Sequence, residues 1–321
     1  MRVLVTGGAG FLGSHIAEAY LRDGHEVVVV DSLFRGREEY VPKGAFFYNV
    51  DLAREPAAVE KIFERHQPHL VFHYAAINGT KYFYDIPHKV FQDNTEMTIN
   101  VVNAAVRFPP RLFVYASSSE VYGEPLKIPT PEDHPIILEF YAERDSYATS
   151  KAFGEFYTRY VAGRRSNYLI LRIFNTYGPR MDTSEYGQVI PEFIRKVLRE
   201  EEFTIIGDGT QTRAFMHVDD HVRIVKKLVE TGPYNDVYNV GSSQEVSILE
   251  LARIIHEIVG RSFKPVFLPP RPHDRRRRCP DISKITKATG QTPQINLYTG
   301  LRQTIKWYTE TRFSQQSPFR A

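Results

Sequence analysis

The chain has 321 residues, room for one large α/β unit with an appendage or for two domains. Its 41 Lys and Arg stand against 38 Asp and Glu, a formal charge of +3 that is too balanced to make nucleic acid or an anionic membrane an obligatory partner. A single cysteine, Cys279, excludes an internal disulfide, and no apolar run or signal peptide interrupts the chain, so the expectation is a soluble, cytoplasmic protein that works on small molecules.

In chain order, β-rich runs alternate with helical patterns. "RVLVT" (2–6) precedes a helix over about 10–22, then come "EVVVV" (26–30), "AFFYN" (45–49), "HLVFHY" (69–74), "RLFVYAS" (111–117) and "YLILRIF" (168–174), with helices between most of them. Nearly continuous apolar strands separated by helices signal a parallel sheet covered on both faces, so the expected fold class is a doubly wound, Rossmann-like α/β sheet. After about residue 175 longer loops enter, with helices expected near 188–200, 217–231 and 247–259. The expected division is a dinucleotide-binding domain over 1–175, to which segments near 215–240 return, and a smaller mixed α/β substrate lobe over 176–321. The final "RFSQQSPFRA" reads as a loose tail.

The first βα junction carries "TGGAGFLG", with Gly7, Gly10 and Gly13 at three-residue spacing. Glycines there allow a tight turn and close backbone approach, while the helix amino terminus offers N–H groups to a pyrophosphate. The second strand runs into Asp31, whose carboxylate suits an adenosine ribose and would repel a 2′-phosphate. NAD is therefore favoured over NADP, although Arg35 and Arg37 lie close by. Further along, "SYATSK" sets Tyr147 and Lys151 four apart, on one face of a helix. An ammonium near a phenol lowers its pKa, so Tyr147 is expected to take a hydroxyl proton as hydride leaves for NAD. Ser118, at the carboxyl end of a parallel strand, is placed to bind the same substrate oxygen.

These motifs resemble those of the extended short-chain dehydrogenase/reductases that modify nucleotide sugars. "TGGAGFLG", "HYAA" (73–76), "SSSEVYG", "YATSK", "RIFNTYGPR" (172–180) and "TRAFMHVDD" (212–220) occur in order over most of the chain. Within that family the chain is similar to UDP-glucuronate decarboxylases in "RIFNTYGPRM", "GTQTRAFMHV" and "RRRRCPDISK", and to UDP-galactose-type epimerases in "RPHD" and "DISK". The resemblance implies NAD held through turnover, transient oxidation at sugar carbon 4, and Ser118, Tyr147 and Lys151 as the catalytic set. It implies a cofactor site of Gly7, Gly10, Phe11, Leu12, Asp31, Asp51, Leu52 and Ala75, joined by Tyr147 and Lys151. On the substrate side it implies Ser118, Asn175, Arg213 and an arginine among Arg276, Arg277 and Arg278, with Lys81 as a candidate sugar contact. The helices near 87–107 and 145–162 resemble the pair with which family members build a four-helix dimer interface, so a homodimer is expected.

Glu120 bears on the reaction type. Simple 4-epimerases of the family usually carry a small or hydroxyl residue at that position, whereas 4,6-dehydratases and UDP-glucuronate decarboxylases carry a glutamate. A carbon 4 ketone acidifies the carbon 5 proton, so Glu120 is expected to act as acid and base on the keto intermediate. Against that, many dehydratases have Asp-Glu where this chain has Ser119-Glu120, and the decarboxylases differ in "INGTKYFYDIP" and around the tyrosine. The reading ranks an epimerase/dehydratase on a UDP- or related sugar first and a UDP-glucuronate decarboxylase second, with a simple 4-epimerase and an inactive NAD-binding regulator as alternatives. Arg275–Arg278 reads as a diphosphate clamp with exposed arginines, in keeping with Arg geometry. His73, His217 and Cys279 lack metal-ligand spacing, and no metal is expected.

Overall fold

The computed structural model describes residues 1–184, 186–270 and 276–313. "RPHD" and Arg275, and all but the first two residues of the expected tail, lie outside the described residues.

The first strands are β1 (Arg2–Thr6), β2 (Glu26–Asp31), β3 (Phe46–Asn49), β4 (Leu70–His73), β5 (Leu112–Ser118) and β6 (Asn167–Ile173). Between them run α1 (Phe11–Arg22), α2 (Pro56–His66), the short α3 (Tyr82–Asp85), α4 (Pro87–Arg107) and α5 (Asp145–Tyr160). Each lies within a few residues of the sequence-based expectation, because valine-rich runs buried on both faces leave little choice of structure. The chain continues through β7 (Thr176–Tyr177), α6 (Val189–Leu198), β8 (Thr204–Ile206), β9 (Thr212–Ala214), β10 (Met216–His217), α7 (Val218–Thr231) and β11 (Asp236–Val240). It closes with β12 (Glu245–Ser247), α8 (Ile248–Val259), β13 (Val266–Leu268), β14 (Arg277–Arg278), α9 (Ser283–Thr289) and α10 (Leu297–Thr311).

Among the described residues, seven strands form one parallel sheet in the order β11-β6-β5-β4-β1-β2-β3. Strand pleating sends Val3, Val5, Val27 and Val29 to one face, where Ile16, Ala17 and Val225 of α1 and α7 cover them. Leu4, Val28 and Val30 go to the other face, beneath Ile62 of α2 and Val101 and Val102 of α4. Order reverses at β1, which lies between β2 and β4, and a doubly wound sheet opens its binding crevice outside the carboxyl ends at that point.

The return of the chain to this sheet near 215–240 is built by α7 and β11, which pairs in parallel with β6 from Asp236↔Leu169 to Val240↔Ile173. Ile285 of α9 packs into the same core, so the return extends past residue 280, beyond the expected range. A separate core unites Phe193, Ile194 and Val197 of α6 with Leu251 and Ile255 of α8 and Leu301 and Ile305 of α10. These helices carry apolar residues at three- and four-residue spacing, and burying those stripes against one another builds this core. No helix among the described residues is long and apolar enough to cross a membrane.

Candidate active site

The crevice at the carboxyl ends of β1, β2, β4 and β5 is lined by Gly7, Gly10, Phe11, Leu12, Asp31, Leu52, Ala75, Ser118, Glu120, Tyr147 and Lys151, so the two halves of the expected site meet in one cavity. Its floor is shaped by missing side chains. A Cβ on Gly13 would lie 2.2 Å from the Gly7 carbonyl oxygen, and Gly7 itself has φ +68° with the Ala75 backbone N 2.7 Å from where its Cβ would be. Glycine alone allows α1 to start so close to the turn, which leaves the first-turn backbone of Phe11 and Leu12 open to the crevice. Asp31 is 8% exposed; its carboxylate accepts the Ala9 N–H at 3.0 Å and the Leu33 N–H at 2.8 Å. That fixes an anion at the rim, and the cradle fits a dinucleotide with an unphosphorylated ribose.

Arg35 does not serve as a partner for a 2′-phosphate here. Its Nη2 donates to Asp182 at 2.9 Å and its guanidinium lies over the Tyr82 ring at 5.5 Å. Tyr82 in turn stacks on Tyr186, with ring centroids 4.2 Å apart. Asp51 anchors its own turn. Its carboxylate accepts the Ala53 N–H at 2.9 Å and the Arg54 N–H at 3.3 Å in the turn before α2, while its neighbours Val50 and Leu52 line the crevice.

Tyr147 and Lys151 sit on α5, which lies close against β5 because position 154 has no side chain: a Cβ there would be 2.0 Å from the Tyr115 hydroxyl. The Tyr147 ring stacks on Phe83 at 4.7 Å and 15°, and Tyr147 shares the cavity with Ser118. The Ser118 Oγ also accepts the Glu120 N–H at 3.2 Å, capping the 3-10 turn Ser119–Tyr122 that follows β5. Lys151 donates to the Ala116 carbonyl at 2.7 Å, and its Nζ is 5.8 Å from the Tyr147 ring centroid.

Burial, followed by the Glu120 carboxylate, pushes the Tyr147 phenol above its ordinary value, and burial pushes Lys151 down to about 7. In the protein alone, burial and the Glu120 carboxylate thus work against a lowered phenol pKa.

Glu120 occupies an arrangement that the sequence did not reveal. The Arg144 Nη2 donates to its Oε1 at 2.9 Å and Nε to its Oε2 at 3.2 Å, and Arg278 closes the other side through Nη1 and, at 3.0 Å, Nη2. All three side chains are nearly buried. Desolvation alone would raise the carboxyl pKa, but two guanidinia hold it well below the usual carboxylate range. The pair of guanidinia thus favours the carboxylate form of Glu120 and weakens it as a base.

A second cavity adjoins the first and carries Lys81, Asn175 and Arg213 from the expected substrate set, with Arg144, Gln188 and Arg278. Lys81 lies over the Tyr186 ring at 4.9 Å. Asn175 lines both cavities and donates to the Ala214 carbonyl at 3.4 Å, and Arg213 donates to the Thr212 carbonyl at 2.8 Å. The three arginines separate: Arg278 reaches Glu120 and both cavities, Arg277 forks onto Glu245 at the surface, and the Arg276 carbonyl accepts the Thr212 N–H in the β14–β9 pairing. Alternation along β14 decides this, since neighbouring strand residues face opposite ways. Sequence reading missed Arg144, although its place one helical turn before Tyr147 was the available signal. Cys279 is buried, which raises its thiol to about 11 and suits no nucleophile.

Comparison with known proteins decides the family. The profile described as "NAD dependent epimerase/dehydratase family" matches residues 3–241. The chain belongs to the NAD-dependent epimerase/dehydratase family. This epimerase/dehydratase is 35% identical over 317 residues to UDP-glucuronic acid decarboxylase 4 of Arabidopsis thaliana, covering 98% of the present chain and 70% of the relative. It is 32% identical to a UDP-N-acetyl-alpha-D-glucosaminuronate decarboxylase of Bacillus cytotoxicus, covering 96% and 98% of the two chains. The crystal structure of a UDP-glucose 4-epimerase with UDP-glucose from Thermotoga maritima superposes with a TM-score of 0.91 at 32% identity, over 97% and 99% of the chains. The protein is thus an enzyme of this nucleotide-sugar family, with NAD as its cofactor. When bound, NAD takes up hydride from the substrate and returns it.

Proposed function

We propose that this enzyme decarboxylates a UDP-hexuronate after oxidising its carbon 4. The observation that carries the reading is Glu120 clamped between Arg144 and Arg278 in the cavity of Tyr147 and Ser118. Tyr147, which lines the same cavity as Ser118, takes the carbon 4 hydroxyl proton as hydride leaves the same carbon. The resulting ketone is β to the uronate carboxylate, and carbon dioxide leaves from such an acid without a proton donor. Loss of water from carbon 6 would need Glu120 to take the carbon 5 proton and pass it on, and two guanidinia make its carboxylate a weak base, while Ser119 stands where many dehydratases have an aspartate. The triad carries one net positive charge, and the buried Arg278 Nε has no hydrogen-bond partner among the described residues. A uronate carboxylate meets both conditions. Similarity to two uronate decarboxylases over nearly the whole chain supports the same choice.

Epimerisation at carbon 4 is the second reading, favoured by the 0.91 TM-score to a UDP-glucose 4-epimerase; it shares the first step but gives a buried, doubly paired glutamate nothing to do. Incubating the protein and NAD with UDP-glucuronate, UDP-N-acetylglucosaminuronate and UDP-glucose, followed by mass spectrometry, separates the outcomes. Loss of carbon dioxide from a uronate is the expected result. Inert uronates together with conversion of UDP-glucose to its 4-epimer, or to a product short of one water, would replace the reading.

We further infer a homodimer formed by α4 and α5, whose outer faces expose Phe91, Phe156 and Tyr160. Light scattering should then give twice the 37.0 kDa chain mass, and a mass of 37.0 kDa would count against it.

A further inference from the structure

Two guanidinia reach Glu120, and they come from different parts of the molecule. Arg278 belongs to β14, the two-residue strand paired with β9, and lines the sugar side of both cavities. Arg144 is the residue from which α5 starts, one turn before Tyr147 on the same rigid helix, and its guanidinium is 7% exposed. It forks onto both carboxylate oxygens, with Nη2 at 2.9 Å and Nε at 3.2 Å. Glu120 itself starts the turn capped by Ser118, so its backbone is tied to the strand while its side chain is tied to the helix. The groups facing the carboxylate are Arg144 and Tyr147 from α5 and Arg278 from β14.

A substrate carboxylate that recruits Arg278 leaves Arg144 as the remaining partner of Glu120. We propose that Arg144 is the positioning residue that decides which bond breaks after carbon 4 is oxidised: by forking onto both oxygens of Glu120 it keeps that carboxylate from taking the carbon 5 proton, and so from becoming the proton donor to the carbon 6 oxygen. In the excluded reaction the carbon 5 proton passes to a base, its electron pair forms the carbon 5–carbon 6 double bond, and the carbon 6 oxygen leaves with its bonding pair and one added proton as water. In the permitted reaction the pair of the carbon 5–carbon 6 bond moves into the enolate of the ketone, carbon dioxide departs with no proton, and carbon 5 then takes one proton from water. Hydride returned to carbon 4 and the proton held by Tyr147 complete the neutral balance. This consequence for specificity rests on the decarboxylase reading; the fixing of Glu120 does not.

The test compares the full-length protein with Arg144→Gln, Arg144→Lys and Glu120→Gln by isotope-edited infrared spectroscopy of ¹³C-glutamate, where the protonated carboxyl band lost in E120Q belongs to Glu120. In the parent protein that band is expected to be absent down to about pH 4. In R144Q it should emerge at least about one pH unit higher, since an opposite charge at this range moves a carboxyl by one to three units. R144K, which keeps the charge but not the fork, should fall between the two. The acid limb of kcat/KM on the uronate should move with the band, and UDP-glucose should begin to lose water. A Glu120 band at the same pH in R144Q as in the parent overturns the proposal, and if R144Q does not fold, an unmoved band in R144K does the same. A band that moves while the parent leaves every uronate intact would uphold the positioning role and remove the decarboxylase reading instead.

Discussion

Replacing Tyr147 by Phe is expected to lower turnover of the active nucleotide sugar by about 10²- to 10⁴-fold, the usual contribution of a positioned general base, with NAD still bound. The substitution removes one oxygen and keeps the ring that stacks on Phe83 at 4.7 Å, so the local packing survives. What goes is the hydroxyl in the cavity that holds Ser118 at the end of β5, the group that receives the carbon 4 proton in the proposed reaction. Lys151 cannot take over, because its Nζ is committed to the Ala116 carbonyl at 2.7 Å and is held by α5 on the same side of the ring. The measurement is kcat on the active sugar together with NAD fluorescence titration of the variant. Turnover within about tenfold of the parent would remove the phenol from the mechanism.

The second large effect concerns stability. Arg172→Met is expected to cost about 3–5 kcal/mol, because it leaves Glu155 as an uncompensated buried charge. The Arg172 Nε and Nη2 donate to the two Glu155 oxygens at 2.9 and 2.8 Å, and the Ser117 hydroxyl donates to one of them at 2.5 Å. Both side chains are 6% exposed. The guanidinium also donates to the Glu132 carbonyl at 3.0 Å and lies 4.7 Å from the centre of the Tyr122 ring, whose hydroxyl donates to Asn239 on β11. One ion pair thus joins β5, α5, β6 and the returning strand directly beneath the residue before Ser118. Urea unfolding gives the cost, and the double variant Glu155→Leu with Arg172→Met should recover most of it, since an apolar pair of similar size often replaces a buried ion pair without loss. A cost under about 1 kcal/mol for the single variant would place this pair with exposed ones and contradict the argument.

Much of the site was legible residue by residue. Glycine spacing at Gly7, Gly10 and Gly13, Asp31 after β2, and the four-residue interval from Tyr147 to Lys151 are local patterns, and the structure draws Gly7, Gly10, Asp31, Tyr147 and Lys151 into one crevice. Asp51 shows what spacing leaves open: one of its carboxylate oxygens accepts backbone N–H groups in the turn before α2. Arg276 and Arg277 show a related limit, since a run of four arginines shows charge but not which of them the pleat turns inward. The four-residue interval could not show that burial raises the Tyr147 phenol and lowers the Lys151 ammonium in the protein alone, because desolvation depends on everything packed around the pair.

Hydrophobic pattern and glycine placement were enough to settle the parallel sheet, the position of the dinucleotide turn and the helix bearing the tyrosine, because each depends on neighbours within a few residues along the chain. Folding alone decided that Glu120 meets Arg144 from 24 residues away and Arg278 from 158, and that Arg172 meets Glu155 beneath them. Such pairings depend on how strands and helices from distant segments are laid against one another, and in a buried setting of low dielectric they set charge and protonation more strongly than any local spacing does.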